Sequence, residues 1–333
     1  NDNPTVEGPK LYKRNAYYYI FAPAGGVTYG WQLVMRSRNI LGPYEARRVM
    51  HQGDTPVNGP HQGAWVTTPS GEDWFIHFQD KGAYGRVVHL QPMRWVDDWP
   101  IPGTDTNNDG IGEPVSSFPK PEIKVSPADQ SLTTDDEFNG VRPGLQWQWQ
   151  ANPLPNWGYI SGNMGFYRLN CIQTNDTSGN LWDVPNMMLQ KFPAERFTAT
   201  ASMKFYPQAD GDEAGFIVMG RDYQYISLVM KDGRVWVKVT RCADADKGAT
   251  EEIIDIKEFA GQQIYFRVRV EEGALCRFSY SSDGSAFTDA GNTFKAREGM
   301  WIGAKTGFFA ICRGFTNDSG YADIDWFRIS SNE

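Results

Sequence analysis

Cysteine is scarce in this chain, and the four residues present, Cys171, Cys242, Cys276 and Cys312, stand far apart with no C-x-x-C pair. That spacing excludes a clustered thiolate metal centre, and a chain of this length needs no disulfide framework, so four buried free thiols are expected. Basic charge is also short. Lys and Arg number 32 against 40 Asp and Glu, a formal net charge of -8, and no basic cluster interrupts the acidic excess. Nucleic acid is excluded as a partner on this ground, because a phosphate backbone is held by grouped Lys and Arg. No apolar run approaches the roughly 20 residues of a membrane span, and no signal-peptide pattern stands at residue 1, so no membrane partner is expected.

Aromatic residues are plentiful instead. Twelve Trp, 15 Tyr and 19 Phe accompany 34 Gly and 20 Pro, a mixture that suits an all-β protein whose exposed rings can stack on sugar faces, although packing explains most of them equally well. With 333 residues and 40% hydrophobic content, the chain can bury one large core or two ordinary ones, and two domains are expected.

The stretch VEGPKLYKRNAYYYIFAPAGG sets Glu7 in a Gly-Pro corner directly before a strand pair, 10–12 and 17–23, joined by Lys13-Arg14-Asn15. A carboxylic acid seated against that many aromatics is expected to be desolvated, with a raised pKa suited to proton donation. The plainer reading of Glu7 is a solvated turn carboxylate. A strand over 31–38 follows, then a loop, HQGDTPVNGPHQ, that carries His61. Residues 74–79 and 87–93 form a hairpin, and Arg86 follows the Gly85 break at its start, where its guanidinium can reach a substrate hydroxyl or the acid, or pair with Asp80. His51, His77 and His89 are read as structural. The run DTNNDGIGE has half the pattern of an EF-hand loop, but Ser116 stands where the bidentate Glu belongs, so a polar turn is the better reading.

Residues 116–131, with three prolines and no periodicity, read as an extended linker packed over the surface. Beyond it, ten segments from LQWQWQ to YADIDWFRI alternate apolar and polar residues at strand length, indicating a two-sheet sandwich. Trp147, Trp149 and Trp157 could form a sugar platform, but core packing is favoured because the first two share one strand face.

The run EGPKLYKRNAYYYIFAPAGG, followed in order by GWQLVMRSRNILGPYE, GPHQGAWV and WFIHFQDKGAYGRVVHLQPMRWVDDWP, resembles glycoside hydrolase family 43. The resemblance extends over essentially the whole chain. It implies an all-β fold: part of a five-bladed β-propeller over 1–115, the linker, and a concanavalin-like β-sandwich over 132–333. It implies that Glu7 is the general acid of an inverting, exo-acting α-L-arabinofuranosidase or β-xylosidase on arabinose- or xylose-containing glycans. Arg86 would bind substrate, and His61 would approach a calcium ion on the propeller axis. A second, structural calcium is expected between Asp136 and Asp325, which the sandwich places on neighbouring first and last strands, with Glu137 or Asp323 as further ligands; charged edge-strand residues are the alternative. No organic cofactor is implied. Strand-like material before the linker accounts for about two blades. The general base and the pKa-tuning aspartate are therefore expected on an N-terminal propeller fragment or chain, leaving this chain inactive without it. An extracellular or periplasmic setting is expected. The rival from another class is a non-catalytic carbohydrate-binding protein that uses its lectin-like sandwich.

Overall fold

The computed structural model describes residues 2–124, 134–174, 179–314 and 319–332. Two compact units emerge, one from 1–81 with 86–131 and the other from 82–85 with 132–333. Among the described residues no helix is long and apolar enough to cross a membrane.

The first unit consists of two four-stranded antiparallel meanders, each a propeller blade. Strands β1 (Lys10–Arg14), β2 (Tyr17–Ala24), β3 (Trp31–Ser37) and β4 (Glu45–Met50) pair in chain order, as do β5 (His61–Thr67), β6 (Asp73–Asp80), β7 (Arg86–Val96) and β8 (Trp99–Pro102). Alternating side chains bring Tyr19, Phe21, Val34, Val49, Phe75 and Trp99 into one core shared by the two sheets. Each such side chain contributes about 1.5–3 kcal/mol on leaving water. One helical turn, Gly26–Tyr29, enters between β2 and β3. His61 opens strand β5 instead of ending the preceding loop. The DTNNDG run is a polar turn braced by its own side chains: the Gly110 N–H donates to Asp105, and the Ile111 N–H to Asp109. Linker residues 116–124 lie against this unit, with the Phe118 ring edge-on to Trp74 at 5.8 Å. The rest of the expected linker falls outside the described residues.

Two sheets form the second unit. One orders its strands Gly158–Ile160, Tyr167–Asn170, Tyr321–Ser330, Phe197–Tyr206, Gln263–Glu271, Leu275–Ser281 and Thr288–Lys295. The other runs Glu252–Glu258, Arg234–Cys242, Tyr223–Lys231, Asp212–Met219, Lys305–Cys312, Met187–Lys191 and Gln148–Trp149, with Ile172–Gln173 added beside Lys305–Cys312. Phe216, Phe266, Phe308 and Phe327 fill the space between them, as expected for a sandwich. Trp147 and Trp149 pack against this core and Trp157 is buried, so the three indoles are packing residues. All four cysteines are free and buried.

The outer face of the second sheet carries a buried ionic network. Glu213, wholly buried, accepts hydrogen bonds from Ser227 at 2.6 Å and from Lys238 at 2.8 Å. Arg313 lies 3.5 Å from Glu213 and donates to Glu251 at 2.7 Å. The Tyr223 and Tyr225 hydroxyls donate to the two oxygens of Glu251.

Candidate active site

Glu7 stands at the corner that Gly8 makes with φ +54, a left-handed conformation open to glycine at little cost. Its backbone N–H donates to Pro23 O at 3.3 Å, which ties the corner to the end of β2. The side chain then meets β5. His61 Nε2 donates to Glu7 Oε1 at 2.9 Å and Gln62 Nε2 donates to the same oxygen at 3.2 Å. Successive residues of a regular strand point to opposite faces, so two neighbours on one carboxylate require an irregularity. It is a β-bulge: the pairing with β6 shifts between His61 and Ala64, and Gln62 takes φ +50. Gly63 completes the bulge, because a Cβ there would overlap the Phe75 ring.

The expectation of a desolvated Glu7 with a raised pKa is overturned. Its side chain is 51% exposed. The hydrogen bonds from His61 and Gln62 hold the carboxyl below its ordinary value, outweighing the small effect of burial, and the charges of His61 and Arg86 act in the same direction. Both bonds fall on Oε1, so Oε2 has no hydrogen bond among the described residues. Arg86 opens β7, and its guanidinium lies 4.8 Å over the Phe78 ring. The His61 ring packs on Phe78 as well, with centroids 5.7 Å apart. Phe78 thus packs against both His61 and Arg86.

His61 is fully buried, and its Nδ1 has no hydrogen-bond partner among the described residues. A Cβ on Gly30 would lie 3.1 Å from that nitrogen and collide with the carbonyl oxygens of Gly26 and Ala24. Gly30→Ala is therefore expected to push the imidazole off Glu7 and to cost about 1–3 kcal/mol of stability through overpacking. Thermal unfolding of Gly30→Ala against wild type checks this; an unchanged melting temperature would refute the overpacking. Calcium takes six to eight oxygens. Here one imidazole already engaged by Glu7 stands without converging carboxylates, and among the described residues no three His, Cys, Asp or Glu could hold a metal. These residues by themselves do not supply a calcium coordination sphere.

Three of the four sandwich acids are likewise occupied by protein groups. Asp136 pairs with Phe327, as neighbouring first and last strands require. Its carboxylate accepts the N–H groups of Phe138 and Gly144 and the Trp147 indole. Glu137 takes both arms of Arg328, and Asp323 both arms of Arg168. Asp325 is exposed. Among the remaining histidines, His77 and His89 stack at 5.4 Å, and burial drives His77 down to about 4.

Sequence reasoning missed Gln62 and Phe78. A signal for Gln62 was available, since Gly63 inside a strand pattern marks a bulge; nothing local distinguished Phe78 from a core ring.

The model for glycosyl hydrolases family 43 matches residues 1–100, and that for the β-xylosidase C-terminal concanavalin A-like domain matches 135–330. A protein of Xylanibacter ruminicola that carries a β-xylosidase name is 39% identical over 92% of this chain and 55% of its own length. A non-reducing end α-L-arabinofuranosidase of Bacteroides ovatus is 26% identical over 96% of this chain and 62% of its own length. The solved structure of a bifunctional GH43-CE protein of Bacteroides eggerthii superposes with a TM-score of 0.83 at 27% identity, covering 98% of this chain and 41% of that one. The chain thus spans 55% to 62% of the length of these two curated relatives.

Proposed function

The chain belongs to glycoside hydrolase family 43, and on that premise we propose that it carries the proton donor of an inverting, exo-acting β-xylosidase or α-L-arabinofuranosidase. The observation that supports this best is the state of Glu7: oriented through Oε1 by two donors, with Oε2 open and half the side chain exposed. Glu7 is the general acid. At rest it is a carboxylate; a sugar seated over it displaces water, weakens the charged form and raises the pKa so that Oε2 takes up a proton. That proton passes to the leaving glycosidic oxygen as the C–O bond breaks. Arg86 binds substrate hydroxyls, and His61 and Gln62 are positioning residues.

Inversion also needs a second carboxylate about 6.5–9.5 Å away to activate water on the opposite face of the sugar. Asp73 is committed elsewhere, to the Trp65 and Trp95 indoles and the Thr67 hydroxyl. The base is placed, as part of this proposal, on an N-terminal propeller segment or chain. The test is hydrolysis of aryl xylosides and aryl arabinofuranosides by the complete enzyme, with the anomer of the first-formed product read by NMR. A product of retained configuration sinks the inverting assignment.

Gln62→Leu removes one bond to the carboxylate and so raises the pKa of Glu7. Activity depends on the protonated acid and falls as pH rises through that pKa, so the alkaline limb of kcat/KM should move to higher pH. A limb that stays in place or moves down would refute the positioning role.

A further inference from the structure

Lys191 and Lys305 stand directly opposite one another on the antiparallel strands Met187–Lys191 and Lys305–Cys312. Like charges so placed repel. Lys305 is only 8% exposed, and its ammonium donates to one neutral acceptor, Gln150 Oε1, at 2.9 Å. Neither lysine has an acidic partner among the described residues, and burial and the Lys191 charge both push the Lys305 pKa down. Cations this deeply buried are ordinarily paired. The contrast lies on the same sheet, where buried Lys238 has Glu213. Lys305 also lines a cavity of about 180 Å³, walled by Trp182, Met219, Met300 and Ile302, with Gln150 beside it.

We propose that this cavity binds a carboxylate-bearing sugar residue, a uronic acid. The carboxylate takes the unused donors of Lys305, Lys191 adds attraction, and the C–H face of the ring lies on the apolar wall that Trp182 and Ile302 supply. An inorganic anion alone has no use for that wall. The site shares no residue with the Glu7 cluster. Its sugar component rests on the glycan reading above, whereas its anion component does not.

Calorimetric titration of the full chain with D-glucuronic acid, D-xylose, acetate and inorganic phosphate tests the proposal. Glucuronic acid should bind about tenfold tighter than xylose, as one charge-assisted hydrogen bond allows, and tighter than acetate through the apolar wall. Lys305→Met should remove that advantage, and Lys191→Gln, at an exposed position, should reduce it several-fold. Hydrolysis of neutral aryl pentosides by the complete enzyme should not change in either variant. Glucuronic acid binding no tighter than xylose, or equally well to both variants, overturns the site. Phosphate binding as tightly, with the same dependence on Lys305, means an adventitious ion only and overturns it too. Should Lys305→Met not fold, Lys191→Gln decides. Pentoside turnover and glucuronic acid binding are separate readouts, so failure of one reading is not mistaken for failure of the other.

Discussion

Glu7→Gln in the complete enzyme is expected to lower turnover by about 10²–10⁴-fold on glycosides with poor leaving groups, the usual contribution of a general acid. The amide keeps the shape of the side chain, and its oxygen can still accept from His61 and Gln62, so the fold should be unaffected. Only the proton is lost. An aryl pentoside whose phenolate leaves readily needs little protonation and should retain far more of its rate. The measurement is kcat/KM for two aryl pentosides of widely different leaving-group acidity, in wild type and variant. Equal losses on both would remove Glu7 from proton transfer, and a variant that no longer melts like wild type would point to a structural role. The lowered pKa of the resting residue is reconciled with this role by the bound sugar, which displaces water and favours the protonated form.

Lys238→Met should be strongly destabilising to the sandwich. It leaves the fully buried Glu213 with Ser227 and a more distant Arg313. Removing one member of a buried pair typically costs about 3–5 kcal/mol, because a charge is stranded away from water. For a unit of this size that is roughly a 10 °C drop in melting temperature. Replacing both residues, Glu213→Met with Lys238→Met, should restore most of the loss, since apolar substitutes for a buried pair are often neutral. In the wild type, burial alone would raise Glu213, but the attraction of Lys238 and Arg313 outweighs it and holds the carboxyl low. Such a group stabilises the fold above its unfolded pKa, and that contribution is lost as pH falls through the folded value. In Lys238→Met the burial effect should win and raise the pKa, so the variant gains stability as acid neutralises Glu213. Its deficit against wild type should therefore shrink on acidification. Urea unfolding at neutral and acid pH checks both statements, and a double variant no better than the single one would discount the pair.

Much of the architecture was legible in the chain itself. Alternation of apolar and polar residues placed the hairpins and the sandwich strands, Gly8 and Pro9 set the Glu7 corner, and wide cysteine spacing foretold free thiols. These features depend on neighbours a few residues apart, which share one strand period or one turn. The sequence alone could not show that His61 and Gln62 both face Glu7, because alternation assigns them to opposite faces until a bulge against β6 breaks the register. Nor could it give the direction of the Glu7 pKa: aromatic neighbours in sequence suggested burial, whereas donors from a strand more than fifty residues away decide it. Glu213 with Lys238 and Arg313, and Lys191 opposite Lys305, are meetings of the same kind. In each case the chemistry is set by which strands pair and in what register, and that is decided by closure of the whole sheet.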